Sequence, residues 1–197
     1  MPQIYTTLSV GLVFLTALSL LLFENWRWNA GALALQYLGV FVLIAMSNPV
    51  EIAVVKLVAG WMSTAILGMA MVDNSGEIEQ KETLNLPGQL FRGLVAILVG
   101  LIVFSFLPQA LTLFAGVASQ QVLGGAFLLG LGLLHISLST APVRVIIGLL
   151  TITAGFGILY ASVEDSIFIT TLLAIVNLGI AFVGAYFLSV SSMEVVE

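Results

Sequence analysis

Glu51–Val72, EIAVVKLVAGWMSTAILGMAMV, is an apolar run about the length of a membrane-spanning helix, which needs roughly 20 residues at 1.5 Å each. It carries Lys56 inside. In a helix that starts near Val50, Lys56 sits roughly 9 Å into the apolar zone. A charge there costs at least about 2.5–3.5 kcal/mol on insertion scales. No other long apolar run in the chain holds a charge so far from its ends. A charge kept at that cost needs a partner or a wet cavity, so Lys56 is the first candidate functional residue.

The rest of the 197 residues agree with a membrane reading. They are 60% hydrophobic and 8% charged, with a mean hydropathy of +1.19, whereas soluble domains carry about 25% charged residues. The fold class is therefore all-α, a polytopic transmembrane helical bundle, because only helices satisfy their own backbone over such long runs. No period-2 alternation suggests a barrel. There is no cysteine, which excludes disulfides and thiolate metal sites. One histidine, His135, is too few for a haem pair or a His-rich site. No basic patch exists for nucleic acid. No cofactor and no metal are expected, and nothing in the sequence supports catalysis.

Seven spans are expected. They run about Ile4–Phe23, Asn29–Met46, Glu51–Val72, Gln89–Leu107, Gln120–Leu138, Pro142–Ala161 and Ser166–Val190. The first is read as a retained span and not a cleavable signal, since nothing before Arg27 is basic. Pro108 is expected to end the fourth span, with Gln109–Ser119 as a short apolar connection. Asp73–Pro87 is the one clear polar loop, with four acids and Lys81. Two parts are distinguished: 1–118, about four spans including that loop, and 119–197, a three-helix unit. With the N-terminus on side A, Arg27, Lys81, Arg92 and Arg144 all fall on side B. The positive-inside rule then makes side B cytoplasmic, with the N-terminus outside and the C-terminus inside.

Small residues mark packing faces: Ala96 with Gly100, then Gly124, Gly125, Gly130, Gly132, Gly155, Gly157, Gly179 and Gly184. The glycine-dense fifth span faces either its own bundle or another subunit. Lys56 shares a helix face with Gly60, Ser63 and Thr64. It is five residues from Glu51, about 140° around the helix, which is a poor geometry for pairing. Two readings stay open. Lys56 snorkels to headgroups or to Glu51, Glu164 or Asp165, or it serves as a proton-path lysine or intersubunit anchor. His135 is either a hydrogen-bonded interface residue or a proton relay. Arg144 is either a topology anchor or a partner across a subunit boundary. Thr151, Thr153, Thr170 and Thr171 are expected to bond back to their own helices, whereas Asn177 is expected to bond another helix.

One family pattern emerges. Gly125-Ala126-Phe127-Leu128-Leu129-Gly130-Leu131, then Pro142-Val143-Arg144-Val145-Ile146-Ile147-Gly148, then a third span after Glu164-Asp165 resembles the three-helix unit of the K subunit of respiratory complex I. With the extra helices in front, including Gln36-Tyr37 and a span opening at Glu51, the chain is similar to component E of hydrogenase-4. That resemblance implies a non-catalytic integral membrane subunit of a complex I-like or group 4 hydrogenase-like ion-translocating oxidoreductase. Its place would be the respiratory chain of a prokaryotic cytoplasmic (inner) membrane. Its partners would be antiporter-like and coupling subunits, along with the lipid bilayer. The family's carboxylates form part of a proton axis. Here the corresponding regions hold Thr153 and Asn177, which do not titrate near pH 7. The candidate ion-path or intersubunit-anchor residues are thus Lys56, Glu51, His135, Arg144, Thr153 and Asn177. The alternatives are a stand-alone small ion transporter or channel, or a structural subunit of another bioenergetic membrane complex.

Overall fold

The computed structural model describes residues 3–23, 25–73, 86–164 and 166–194. Among them lie seven helices: α1 (Gln3–Leu22), α2 (Trp26–Ile44), α3 (Val50–Asp73), α4 (Leu86–Leu113), α5 (Ser119–Ser137), α6 (Pro142–Ala161) and α7 (Ile167–Glu194). All seven are long and apolar enough to cross a membrane. Most of the expected polar loop, including Lys81, lies outside the described residues, as do Glu24 and Asp165. Only its ends are placed: Asp73 closes α3, while Leu86 and Pro87 open α4.

Local chemistry sets the helix ends. The Asn25 side chain accepts a hydrogen bond from the Arg27 backbone N–H at 3.0 Å and so caps α2. Pro142 opens α6 after an extended Ala141, the order proline imposes on itself and on the residue before it. Gly116, with φ of 89°, makes the left-handed turn between α4 and α5, a conformation that glycine adopts without strain. Phe23 stacks on Trp28 at 6.3 Å, and the Arg27 guanidinium lies 5.3 Å from the Trp26 ring centre. This is amphipathic chemistry suited to a membrane boundary.

Pro108 does not end α4. It lies inside a 28-residue helix, so the expected boundary at Leu107 and the separate connection from Gln109 are corrected. Proline removes one helical N–H, and a membrane helix tolerates that loss better than it tolerates leaving a whole stretch of backbone unpaired in lipid.

The helices form two layers, α1–α2–α3 and α5–α6–α7, with α1 facing α5, α2 facing α6 and α3 facing α7. Each facing pair runs in the same direction. Gly124 lies against Val10, and Phe14 packs on Phe127 at 5.0 Å. At the other edge, Glu51–Val55 meets Ile167–Thr171, and Leu67 meets Gly184. Helix α4 flanks the α1/α5 edge. Its outer side chains, among them Leu90, Phe91, Leu94 and Leu101, are exposed.

Glycines set the closest approaches. A Cβ on Gly132 would lie 3.1 Å from the Gly148 carbonyl oxygen, and one on Gly155 would lie 2.8 Å from that of Gly125. The glycine-dense fifth span therefore packs within its own chain, backbone to backbone against α6. Gly179 departs from the expectation, since nothing lies within 4 Å of its Cβ position.

Candidate functional site

Lys56 does not snorkel outward. It is 2% exposed, and its Nζ is buried with no hydrogen-bond partner among the described residues. The end of the side chain fits the space Gly157 leaves open: a Cβ there would lie 2.8 Å from Lys56 Cε and 3.1 Å from Nζ. One helical turn along, the Tyr37 ring from α2 fills the space above Gly60, where a Cβ would overlap it. Lys56 and Gly60 share one face of α3, while Thr153 and Gly157 share one face of α6. The two small residues admit the two large polar side chains.

Between these faces lies a hydrogen-bonded node from three helices. Asn177 of α7 is fully buried. Its Nδ2 donates to the Tyr37 hydroxyl at 2.8 Å, and its Oδ1 accepts from Thr153 Oγ1 at 2.6 Å. Thr153 Oγ1 also lies 3.0 Å from the Leu150 carbonyl. The expectation that Asn177 bonds another helix holds twice over. Thr151, by contrast, bonds back to the Ile147 carbonyl at 2.9 Å, and Thr171 to that of Ile167 at 2.8 Å. Gln36, next to Tyr37 in α2, is fully buried, and both its amide atoms lack partners. Unpaired buried polar atoms are uncommon in folded proteins, and each requires a reason.

Polar features continue toward both ends of α3. At one end, Glu51, Ile52 and Val55 face Ile167, Thr170 and Thr171 across a cleft of about 130 Å³. At the other, Asn29 and Thr64 line a narrow crevice with Leu33, Leu67 and Ile147. The Asn29 Oδ1 is buried and unpaired. From Glu51 to Thr64 along α3 is about 20 Å, most of a hydrocarbon core. Glu51 and Glu164 are both exposed.

His135 and Arg144 belong to a different place. They lie at the α5–α6 turn, on the end of the bundle away from Glu51. His135 is 3% exposed, and the Arg92 and Arg144 guanidiniums act on its imidazole. The candidate residues thus divide in two. Thr153 and Asn177 meet in one node, and Lys56 ends against Gly157, one helical turn along α6 from Thr153. Glu51 stands above it, and His135 and Arg144 do not join it.

Sequence reasoning passed over Tyr37, Gln36 and Asn29 as functional side chains. The signal was there in part, because Gln36-Tyr37 is the one polar pair in the middle of α2. The notch that receives Tyr37 is a glycine on another helix, which spacing alone does not pair with it.

What the arrangement offers is an amine, a phenol, hydroxyls and amides in an apolar surround. Groups of this kind are able to donate and accept protons and hydrogen bonds. Among the described residues, no group of three His, Asp or Glu side chains stands close enough to hold a metal. Comparison with protein-family models, curated proteins and solved structures found no match.

Proposed function

We propose that this chain is a non-catalytic, multi-pass subunit of an ion-translocating oxidoreductase, of complex I-like or group 4 hydrogenase-like kind, in a prokaryotic cytoplasmic membrane. Its contribution to the ion path is Lys56 with the Tyr37–Asn177–Thr153 node. The observation that supports this most is the buried Lys56 ammonium, which has no hydrogen-bond partner among the described residues. Intramembrane ionisable groups of this sort mark ion and proton routes by default. The resemblance adds the setting, since Thr153 and Asn177, where that family has carboxylates, bond each other.

Arg27, Arg92 and Arg144 lie at one end of the bundle, and we read that end as cytoplasmic. The N-terminus is then outside. Antiporter-like and coupling subunits are the proposed neighbours.

Purification from the native membrane tests the assignment. Co-migration with redox and antiporter-like subunits is expected, and migration alone would sink it. A second reading, a small stand-alone transporter, draws on the fact that the whole node lies inside one chain. It predicts cation flux by the pure chain in liposomes, abolished by Lys56→Met.

A further inference from the structure

We propose that the cleft between the first turns of α3 and α7 is a water-filled mouth through which protons reach Lys56, with Glu51 as the carboxylate that exchanges them with bulk water. This deepens the ion-path reading and rests on it for the role of Lys56.

The cleft has room for water and the groups to hold it. It measures about 130 Å³ and is lined by Glu51, Ile52, Val55, Ile167, Thr170 and Thr171. That is space for several water molecules. Glu51 and Ile167 are among the first residues of two membrane-length helices, so the cleft opens level with the membrane boundary. A bound water needs roughly two to four polar partners. The Glu51 carboxylate and the two threonine hydroxyls supply them. Thr171 donates its own proton to the Ile167 carbonyl at 2.8 Å, so its oxygen is left to accept from water.

The cleft leads toward Lys56. Ile52 lines it and lies one helical turn before Lys56 on the same face of α3. A helical side chain leans toward the N-terminus of its helix, so Lys56 leans toward the cleft. Its amine ends against Gly157, about 6 Å from the end of α6 at Ala161. On the other wall, Thr170 sits about two turns before Asn177 on the same face of α7, and both are buried. Going inward from Glu51, the order is cleft, Lys56, then the Thr153–Asn177–Tyr37 node. At the far end of α3, the crevice lined by Asn29, Thr64 and Leu67 leaves no space for a water molecule. The roomier approach to Lys56 is thus from Glu51.

A proton suits this mouth better than a metal cation. One carboxylate and two hydroxyls are too few oxygens to replace a hydration shell, and a second charge would repel the ammonium. A proton needs only a relay. Glu51, which is exposed, takes it from bulk water and passes it to a water in the cleft. That water hands a proton to the Nζ lone pair once Lys56 has released its own. Lys56 is buried, so this transfer follows a local opening between α3 and α7.

The chain has no cysteine, so single cysteines read the cleft without background. Thr170→Cys, Leu172→Cys and Thr64→Cys are made in the full chain in lipid nanodiscs. Each is treated with a cationic and an anionic water-soluble methanethiosulfonate, with rates scaled to those of a free thiol. Thr170→Cys is expected to react about tenfold faster than Thr64→Cys in the crevice, and than Leu172→Cys, which faces outward at nearly the same depth. Adding Glu51→Gln is expected to shift the rate ratio about tenfold toward the anionic reagent. If Thr170→Cys reacts no faster than Leu172→Cys, a lipid tail fills the cleft and the proposal is overturned. A ratio unmoved by Glu51→Gln overturns it too. Ion movement by the proposed complex separates the mouth from the reading beneath it. Movement lost in Lys56→Met and slowed severalfold in Glu51→Gln is expected. Movement lost in Lys56→Met but untouched in Glu51→Gln overturns the mouth and leaves Lys56 in the path. Movement untouched in both overturns both.

Discussion

Lys56→Met separates a lysine held for its charge from one held for structure. Methionine keeps the unbranched reach into the space left by Gly157 and removes the ammonium. Lys56 Nζ has no hydrogen bond to lose among the described residues, and at 2% exposure it gains little from water. The substitution therefore removes a desolvation penalty and leaves no partner stranded. Insertion scales put a central charge at about 2.5–3.5 kcal/mol. Lys56 sits away from the midpoint, so stabilisation of roughly 1–3 kcal/mol is expected, in the range seen when buried charge is replaced by apolar side chains. At about 2–4 °C per kcal/mol for a chain of this size, the melting temperature rises by several degrees. Reversible unfolding in mixed micelles measures the free energy, and ion pumping by the proposed complex is followed in parallel. A more stable chain with lost pumping in an intact complex is the expected pair of results. Destabilisation by about 1 kcal/mol or more would mean that Lys56 has a compensating partner, and the reasoning from its isolation would fail. A complex that falls apart would make Lys56 an anchor.

Three further substitutions and one control probe the node and the helix that crosses its expected boundary. Gly60→Ala drives a methyl into the Tyr37 ring and is expected to cost about 1–3 kcal/mol as overpacking; Gly179→Ala, with open space around it, is the control expected to be neutral or slightly stabilising in the same unfolding assay. Asn177→Leu leaves the Tyr37 and Thr153 hydroxyls without their shared amide, and a loss of roughly 0.6–1.7 kcal/mol is expected from measured interhelical bonds in membranes. Pro108→Ala restores a helical N–H inside α4, so amide exchange around Phe104–Thr112 is expected to slow; faster exchange would mean the proline is not within a continuous helix.

Seven spans were legible because length and hydropathy are nearly sufficient where lipid forbids unpaired backbone. Nine of the ten helix ends at the five short turns fall within three residues of the expected bounds, and the exception is the end of α4. Pro108 misled because proline ends helices in water, where the freed backbone finds other partners. The polar face of α3 was legible from Lys56, Gly60, Ser63 and Thr64 at helical spacing, and all but the glycine are now seen as buried side chains. The stacking of two three-helix layers in the same sense was not legible. Which helix faces which is set by contacts such as Gly132 against Gly148 and Tyr37 against Gly60. These pair residues far apart in the chain, and no local period records them. Nor did the sequence separate the two basic neighbourhoods, since His135 joins Arg92 and Arg144 only once α5 folds back on α6.

The node also bears on the proposed likeness to the complex I K subunit. Under that likeness, Thr153 and Asn177 would stand as neutral residues where a proton axis has carboxylates. In the fold Asn177 bonds both Thr153 and Tyr37, while Lys56 on α3 ends against Gly157, one turn along α6 from Thr153. The polarity of the proposed path is thereby inverted. Where a carboxylate axis stores negative charge and accepts a proton to become neutral, a lysine stores positive charge and becomes neutral by releasing one. Asn177 and Thr153 are already committed to one another, and Lys56 Nζ has no hydrogen-bond partner among the described residues. The Tyr37 hydroxyl accepts from Asn177, and its own O–H has no acceptor among the described residues. Gln36 has both amide atoms unpaired. These two lie in the middle of α2, between the Glu51 cleft and the Asn29 crevice. Water entering there would have the polar partners it needs to be held. A path built on Lys56 would then be gated by hydration of the node and not by titration of an acid. Restoring acids, as in Thr153→Glu, should therefore trap Lys56 in an ion pair and slow ion movement; faster movement in that variant would show that the carboxylate axis, and not the lysine, is the working design.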